Sequence, residues 1–182
     1  MYTFEEKICI LFGELGVTAR KFYALLSAFG TAKGIVDNLG SPQAEKLLGS
    51  DYAEVVKSVS SGYMDKVLDK IREHGVTAVT CFSESFPQSL GNISDPPYIL
   101  FCKGDASLLD TRCLAVVGTR KASVYGKRAA KDFVKILCEY FTVVSGLAYG
   151  IDSVAHETTL EYDGKTIAVL GGGLIDVYPS AN

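Results

Sequence analysis

The chain has 182 residues, of which 48% are hydrophobic and 21% are charged, the composition of an ordinary globular protein with one moderate or two small domains. Its formal net charge of −3 gives no overall basic field, so any site for an anionic partner must rely on a local group of basic residues. The sequence has no apolar stretch near the roughly 18 residues of a membrane span and no signal-peptide pattern, so it predicts a cytoplasmic protein with no membrane partner.

Residues 1–61 have the pattern of a small all-helical domain. Thr3 is a predicted N-cap with Glu6 at the capping-box position, and Thr18 is the predicted N-cap of the next helix. The pattern predicts short helices over 3–15, 16–30, 31–40 and 41–49. We predict an accessory domain of the SAM or helix-hairpin-helix kind, a class that serves either for packing and protein interaction or for contact with nucleic-acid backbone.

Residues 62–182 change to alternating helices and strands. The later strands are continuous apolar runs, which indicates burial on both faces of a parallel sheet with helices as the crossovers. The predicted strands are 76–82, 98–104, 113–118, 141–146 and 165–171, and the predicted helices are 64–75, 123–140 and 151–162. The fold class is therefore α/β, a Rossmann-like, doubly wound, mainly parallel sheet preceded by the small helical domain.

The last three predicted strands each run into a loop that contains glycine. Ligands of such sheets bind beyond the carboxyl ends of the strands, where helix N-termini attract anions. Neither GxGxxG nor GxxxxGK[ST] is present, which argues against a nucleotide cofactor. Arg120 directly follows the first of these strands, and its guanidinium can hold a phosphate through two N–H groups. Lys121 and Lys127 are further candidate contacts, although Lys127 also fits an ordinary solvated helix face.

Residues 143–156 contain Ser145, Asp152 and His156, the residue types of a hydrolytic triad. The serine lacks the GxSxG context of a hydrolase nucleophile, and the other two are four residues apart on one predicted helix. We therefore predict no catalytic residue. Ser145 should belong to a phosphate-binding turn, with Asp152 capping the helix and His156 pairing with a neighbour as structural support. Contact of His156 with a ligand and a role as a catalytic base are the alternatives.

The cysteines show no metal-binding or disulfide pattern. They are odd in number and widely separated, without a CxxC pair, and several lie beside apolar residues where cysteine packs as a small hydrophobe. We predict that all are reduced thiols and that the chain has no metal site. They are Cys9, Cys81, Cys102, Cys113 and Cys138.

Residues 76–182 closely resemble the DprA/Smf family of bacterial DNA-processing proteins. The resemblance rests on the final Asn182 and on stretches in the family's order and spacing: FPQSLGNISDPPYILFCKG, VVGTRKASVYG, VVSGLAYGIDSVAH and KTIAVLGGGLIDVYP. It implies a protein that is not an enzyme, that binds and protects single-stranded DNA, and that helps to load the RecA recombinase in natural transformation and recombination, generally as a homodimer. By position it implies a DNA-phosphate pocket made of Gly118, Thr119, Arg120, Ser145, Gly146, Leu147, Ala148, Gly171, Gly172 and Gly173.

Two features depart from the family pattern. Tyr149 stands where members often carry lysine or arginine, which replaces a phosphate contact with a ring on which a base could stack. The family's fold continues beyond the final YPSAN, so we expect a C-terminally truncated member with an incomplete sheet. The alternatives are a nucleotide-processing hydrolase on a related Rossmann-like fold, whose PGGxGT loop is absent here, and a degenerate fragment without activity.

Overall fold

The structure is a computed structural model that describes residues 1–175 and 177. The first helices begin where the sequence supplies N-cap residues. The Thr3 hydroxyl accepts a hydrogen bond from the Glu6 N–H at 3.3 Å, and the Glu6 carboxylate accepts one from the Thr3 N–H at 2.8 Å, which confirms the capping box. The helices of residues 1–106 are α1 (Phe4–Glu14), α2 (Ala19–Phe29), α3 (Ala32–Asp37), α4 (Pro42–Leu48), α5 (Tyr52–Ser60), α6 (Tyr63–Glu73) and α7 (Gln88–Gly91).

Helix α5 has no counterpart among the predicted helices. It follows directly on a 3₁₀ turn over Gly49–Asp51, and Asp51 at its N-cap position makes no side-chain capping bond. Its Val55 is fully buried in the core that the other helices share. Tertiary packing, rather than a local start signal, therefore explains this helix.

The first compact unit, Met1–Ala106, combines the helices with a two-stranded sheet. Strand β1 (Val76–Thr80) pairs antiparallel with β2 (Ile99–Lys103), and both strands were predicted. They form a sheet of their own that packs on the helices, so they do not extend the parallel sheet. The boundary between the compact units thus follows residue 106, whereas the division into accessory and DNA-binding domains between residues 61 and 62 stays a prediction.

Aromatic stacking joins the hairpin to the helices of this unit. The rings of Phe22 on α2 and Tyr98 before β2 stack with 4.1 Å between their centroids. The Tyr98 hydroxyl donates a hydrogen bond to the Val17 carbonyl at 2.8 Å. Each of these three residues is buried, so the hairpin and the helices share one hydrophobic core.

The second compact unit, Ser107–Asn182, alternates strands and helices as predicted. Its elements are β3 (Cys113–Ala115), α8 (Val124–Leu137), β4 (Thr142–Ser145), α9 (Ile151–Glu161) and β5 (Thr166–Ala168). The strands are parallel in the order β3–β4–β5, and α8 and α9 pack against each other. Because crossovers between parallel strands are right-handed in nearly all proteins, we expect α8 and α9 on one face of the sheet. A parallel sheet with crossover helices, preceded by a helical part, confirms the predicted fold class.

Candidate nucleic-acid interface

The loops after the three parallel strands lie along one edge of the sheet, because parallel strands all end on the same side. Pairing continues past the strand ends, where the Val116 N–H donates to the Val144 carbonyl at 2.9 Å and the Val169 N–H donates to the Ser145 carbonyl at 2.8 Å. The predicted segments that begin at Gly118, Gly146 and Gly171 therefore start side by side. Asn182 lies outside the described residues.

The loop after β3 packs directly against the start of α9. A Cβ atom at Gly118 would lie 2.6 Å from Cγ1 of Ile151, and one at Gly150 would lie 2.8 Å from the carbonyl oxygen of Arg120. The Ile151 N–H also donates to the Thr119 carbonyl at 3.3 Å. Close approach therefore requires glycine at both positions, and Gly150 in addition has a φ of +90°.

Arg120 is exposed at this edge, together with Thr119 and Lys121. The Lys121 N–H donates to the Thr119 hydroxyl at 3.2 Å, which folds the loop back on itself. Within the part of the chain that the structure describes, Arg120 has no salt-bridge partner. A guanidinium in this position can bind an external anion through two parallel N–H groups.

The lysines along α8 differ in their surroundings. The Lys131 ammonium pairs with the Glu161 carboxylate at 2.7 Å, and the Lys135 ammonium lies 5.0 Å from the ring centroid of Tyr162. Lys127 is exposed in the first turn of α8, the turn nearest in sequence to the loop after β3. Of these lysines, Lys127 therefore stays the predicted DNA contact.

Ser145 does not face the edge of the sheet. The residue is 2% exposed, and its hydroxyl donates a hydrogen bond of 2.6 Å to the Val116 carbonyl just past β3. The hydroxyl proton is already used in this bond, so a phosphate contact by the Ser145 side chain does not fit the structure. This corrects the predicted pocket, because the Ser145 side chain joins the end of β4 to the segment just after β3.

Asp152 supports the turn after β4. One oxygen of its carboxylate accepts a hydrogen bond from the Ala148 N–H at 3.3 Å. Gly150 occupies the N-cap position of α9, which has no side-chain capping bond, so the prediction that Asp152 caps the helix is wrong. Because Asp152 is 7% exposed and binds the Ala148 N–H, that backbone donor is not open to a phosphate.

His156 pairs with Thr166 on β5. Its Nδ1 lies 2.7 Å from the Thr166 hydroxyl oxygen, and that hydroxyl itself donates to the Val143 carbonyl at 2.8 Å, so Nδ1 must be the donor. Burial lowers the pKa of His156, and the Asp152 carboxylate acts in the opposite direction. Ser145, Asp152 and His156 thus bond to three different partners and do not form a hydrolytic relay.

Residues 1–175 and 177 contain no group of three or more His, Cys, Asp or Glu side chains suited to a metal ion. They also contain no helix that is long and apolar enough to cross a membrane. The cysteines are free thiols.

A protein-family model described as DNA recombination-mediator protein A matches residues 77–182. The chain belongs to this family. The DNA processing protein DprA of Bacillus subtilis (strain 168) is 39% identical over 121 residues, which cover 65% of this chain and 41% of that protein. DprA of Streptococcus pneumoniae (strain ATCC BAA-255 / R6) is 43% identical over 99 residues, which cover 54% of this chain and 35% of that protein.

A solved structure shows the same fold. The X-ray structure of DNA processing protein A from Streptococcus pneumoniae superimposes with a TM-score of 0.76 at 29% sequence identity, covering 100% of this chain and 62% of that chain. The resemblance to the DprA/Smf family is therefore confirmed. The chain spans less than half the length of the two curated relatives, 41% of one and 35% of the other.

Three residues that position the site were not predicted. Ile151 holds the loop after β3 through its N–H and its side chain. The Val116 carbonyl binds the Ser145 hydroxyl, and the Thr166 hydroxyl orients His156. Each of these contacts joins two elements that are distant in the sequence. Two of them use a backbone N–H or carbonyl, which nearly every residue has, so no local sequence pattern predicts these contacts.

Proposed function

We propose that this chain binds single-stranded DNA through its sugar–phosphate backbone and is not an enzyme. The proposed site is the edge formed by the loops after β3, β4 and β5. Family membership supports the proposal, since the matching family consists of DNA recombination mediators and the relatives are named DNA-processing proteins. The residues that suggested a hydrolase, Ser145, Asp152 and His156, are engaged in holding the loops and strands in place.

The observation that carries this proposal is the position of Arg120. It is exposed on a loop whose backbone is held by the Ile151 N–H at the start of α9. The backbone offers fewer phosphate donors than the sequence suggests, because the N–H groups of Ala148 and Ile151 are already engaged. Phosphate binding therefore depends mainly on side-chain cations, with Lys121 and Lys127 as the secondary contacts.

Tyr149 and the glycines after β5 complete the proposed groove. Tyr149 is 48% exposed, and an aromatic residue at this position could stack on a base, an interaction of about 1–3 kcal/mol. Among residues 1–175 and 177, no atom lies within 4 Å of a Cβ atom built on Gly171, Gly172 or Gly173, which fits a stretch that an approaching DNA strand can reach. Together these features match single-strand binding that tolerates many sequences.

Fluorescence anisotropy with a labelled oligo-dT over a salt series tests the proposal. Wild-type binding should weaken as salt rises, with a log–log slope of about −0.7 for each phosphate neutralised. Arg120→Ala should weaken binding roughly tenfold or more, because hydrogen bonds to charged groups are worth about 1.5–3 kcal/mol. The same variant should make the slope shallower by about 0.7.

Arg112→Ala is the matched control. Arg112 immediately precedes β3, so it lies at the opposite end of the strands from the proposed site. Its guanidinium lies 5.0 Å from the ring centroid of Phe141. The substitution removes the same charge from the same compact unit and should leave the slope nearly unchanged. An equal loss in both variants would contradict a site at Arg120. Absence of wild-type binding at low salt would favour an inactive fragment, and turnover of a nucleoside monophosphate would favour the hydrolase.

The partners in this proposal are single-stranded DNA, the RecA recombinase and a second copy of the chain. The description of the matching family supports a role in DNA recombination. RecA loading, dimerisation, a cytoplasmic location and a role in natural transformation are proposed from the resemblance to the DprA/Smf family. RecA ATPase activity on an oligonucleotide coated with single-strand-binding protein tests the loading, with stimulation as the expected result. Sedimentation velocity tests the dimer.

A further inference from the structure

One face of α8 carries large apolar side chains that stay exposed. Tyr125 is 82% exposed, Phe133 is 68% exposed and Ile136 is 62% exposed. Helix positions three or four residues apart share a face, so these side chains form one stripe. The stripe lines an open groove of about 460 Å³, which we call the α8 groove. The residues that line it are Tyr125, Arg128, Ala129, Asp132, Phe133 and Ile136.

Other faces of α8 hold the helix in its compact unit. Val134 and Cys138 are buried in the core of this unit, and Lys131 pairs with Glu161 on α9. None of these residues lines the α8 groove. Neighbouring exposed apolar side chains bordered by charged ones are typical of a protein-interaction site.

The charged residues of the groove make it complementary to itself. Arg128 and Asp132 are both exposed and lie one helical turn apart. Within the described residues, neither forms a salt bridge. A two-fold axis that relates two antiparallel copies of α8 at the level of position 130 places each of these residues about 3 Å along the helix from the axis. Arg128 then lies level with the partner's Asp132, and the symmetry forms this ion pair twice.

The same axis also matches the apolar side chains. At a rise of about 1.5 Å per residue, Ile136 comes nearly level with the partner's Tyr125. Phe133 comes between the levels of the partner's Tyr125 and the partner's Ala129. The small alanine side chain leaves room for the ring, as side chains of one helix fit between those of another in helix packing.

We propose that α8 pairs antiparallel with α8 of a second copy of this chain across the α8 groove, with an Arg128–Asp132 ion pair at each end. This inference names the surface of the dimer in the proposed function. It is separate from the DNA site, since neither Arg120 nor Lys121 lines the groove.

The area of the groove indicates a weak dimer. An aromatic side chain buries about 150–250 Å², so Tyr125, Phe133 and Ile136 supply roughly half of the 800 Å² or so that each partner contributes to a standard interface. We therefore expect a reversible dimer whose population rises with the concentration of the chain.

Sedimentation velocity of the full chain without DNA, from low micromolar to several hundred micromolar, tests the proposal. The wild type should shift from monomer to dimer over this range. Phe133→Asp places a charge in the apolar stripe and should raise the dissociation constant at least about tenfold. Leu160→Asp is the matched control, because Leu160 is 64% exposed on α9 outside the groove, and it should leave the dissociation constant unchanged. Circular dichroism verifies that each variant is folded.

Two charge variants test the ion pairs. Arg128→Asp leaves two acidic residues on the face and Asp132→Arg leaves two basic residues, so each variant alone should dimerise at least about tenfold more weakly than the wild type. An equimolar mixture of the two variants should form a heterodimer about as tight as the wild-type dimer, because every added charge then meets an opposite one. A mixture that stays monomeric, or a Phe133→Asp chain that dimerises like the wild type, would overturn the proposal.

Oligo-dT binding by the wild type keeps this proposal apart from the proposed function. A chain that binds oligo-dT but stays monomeric overturns the α8 dimer alone. A chain that passes the mixing test but does not bind oligo-dT supports the α8 dimer and contradicts the DNA site alone.

Discussion

Replacing Gly150 by alanine should displace the loop that carries Arg120. The added Cβ atom would lie 2.8 Å from the carbonyl carbon and oxygen of Arg120 and would also collide with the Thr119 carbonyl oxygen. These are backbone atoms, so the loop has to move as a whole. Gly150 also has a φ of +90° and a ψ of −122°, a conformation that residues with a side chain rarely adopt.

We expect Gly150→Ala to lower the free energy of unfolding by about 2–6 kcal/mol, since overpacking and a disfavoured backbone conformation each cost about 1–3 kcal/mol. Two matched alanine variants separate these contributions. Gly16 has a φ of +72°, and no atom of the described residues lies within 4 Å of a Cβ atom added there, so its replacement should cost only the backbone part, about 1–2 kcal/mol. Gly171 has neither feature, so its replacement should change stability by less than about 0.5 kcal/mol.

Denaturation by urea, followed by circular dichroism, measures these differences. Hydrogen exchange with mass spectrometry assigns the loss to peptides from residues 107–150. Gly150→Ala should also weaken oligo-dT binding, because Arg120 loses its position although its side chain is unchanged. If Gly150→Ala unfolds, exchanges and binds DNA as Gly171→Ala does, the close packing of this loop on α9 is wrong, and the positioning of Arg120 is wrong with it.

Two further predictions concern side chains beneath the loops. Ser145→Ala should lower the free energy of unfolding by about 1–3 kcal/mol, because the Val116 carbonyl loses its donor, and should leave the salt dependence of DNA binding unchanged. Weaker DNA binding without a loss of stability would instead make Ser145 a phosphate contact. Burial lowers the pKa of His156 in the folded chain below its ordinary value of 6.5. Between these two pKa values the unfolded chain binds more protons than the folded chain, so the free energy of unfolding should fall as pH drops below 6.5. Urea titrations from about pH 7.5 to about pH 5 should show this loss in the wild type and a smaller one in His156→Gln, and equal losses would contradict the assignment.

Signals between close neighbours in the sequence were sufficient to predict most elements. Thr3 and Thr18 start helices because an N-cap acts on N–H groups only two or three residues away. The apolar runs that became β3, β4 and β5 predicted a parallel sheet because burial on both faces leaves no polar alternation. Helix α5, which lacks a capping bond, was missed because only packing stabilises it.

The candidate site was likewise predicted in part from the sequence and in part decided by packing. The sequence alone determined that glycine loops and Arg120 follow parallel strands, since strand direction follows from the β–α–β alternation. The structure decided that these strands are neighbours in the order β3–β4–β5. Only the tertiary structure decided that Ser145 turns inward to the Val116 carbonyl, that Asp152 holds the turn after β4, and that β1 and β2 join the helical unit. The physical reason is that each of these features depends on which group of a distant segment comes within bonding distance. Strand register and packing determine which group that is, and residue type does not.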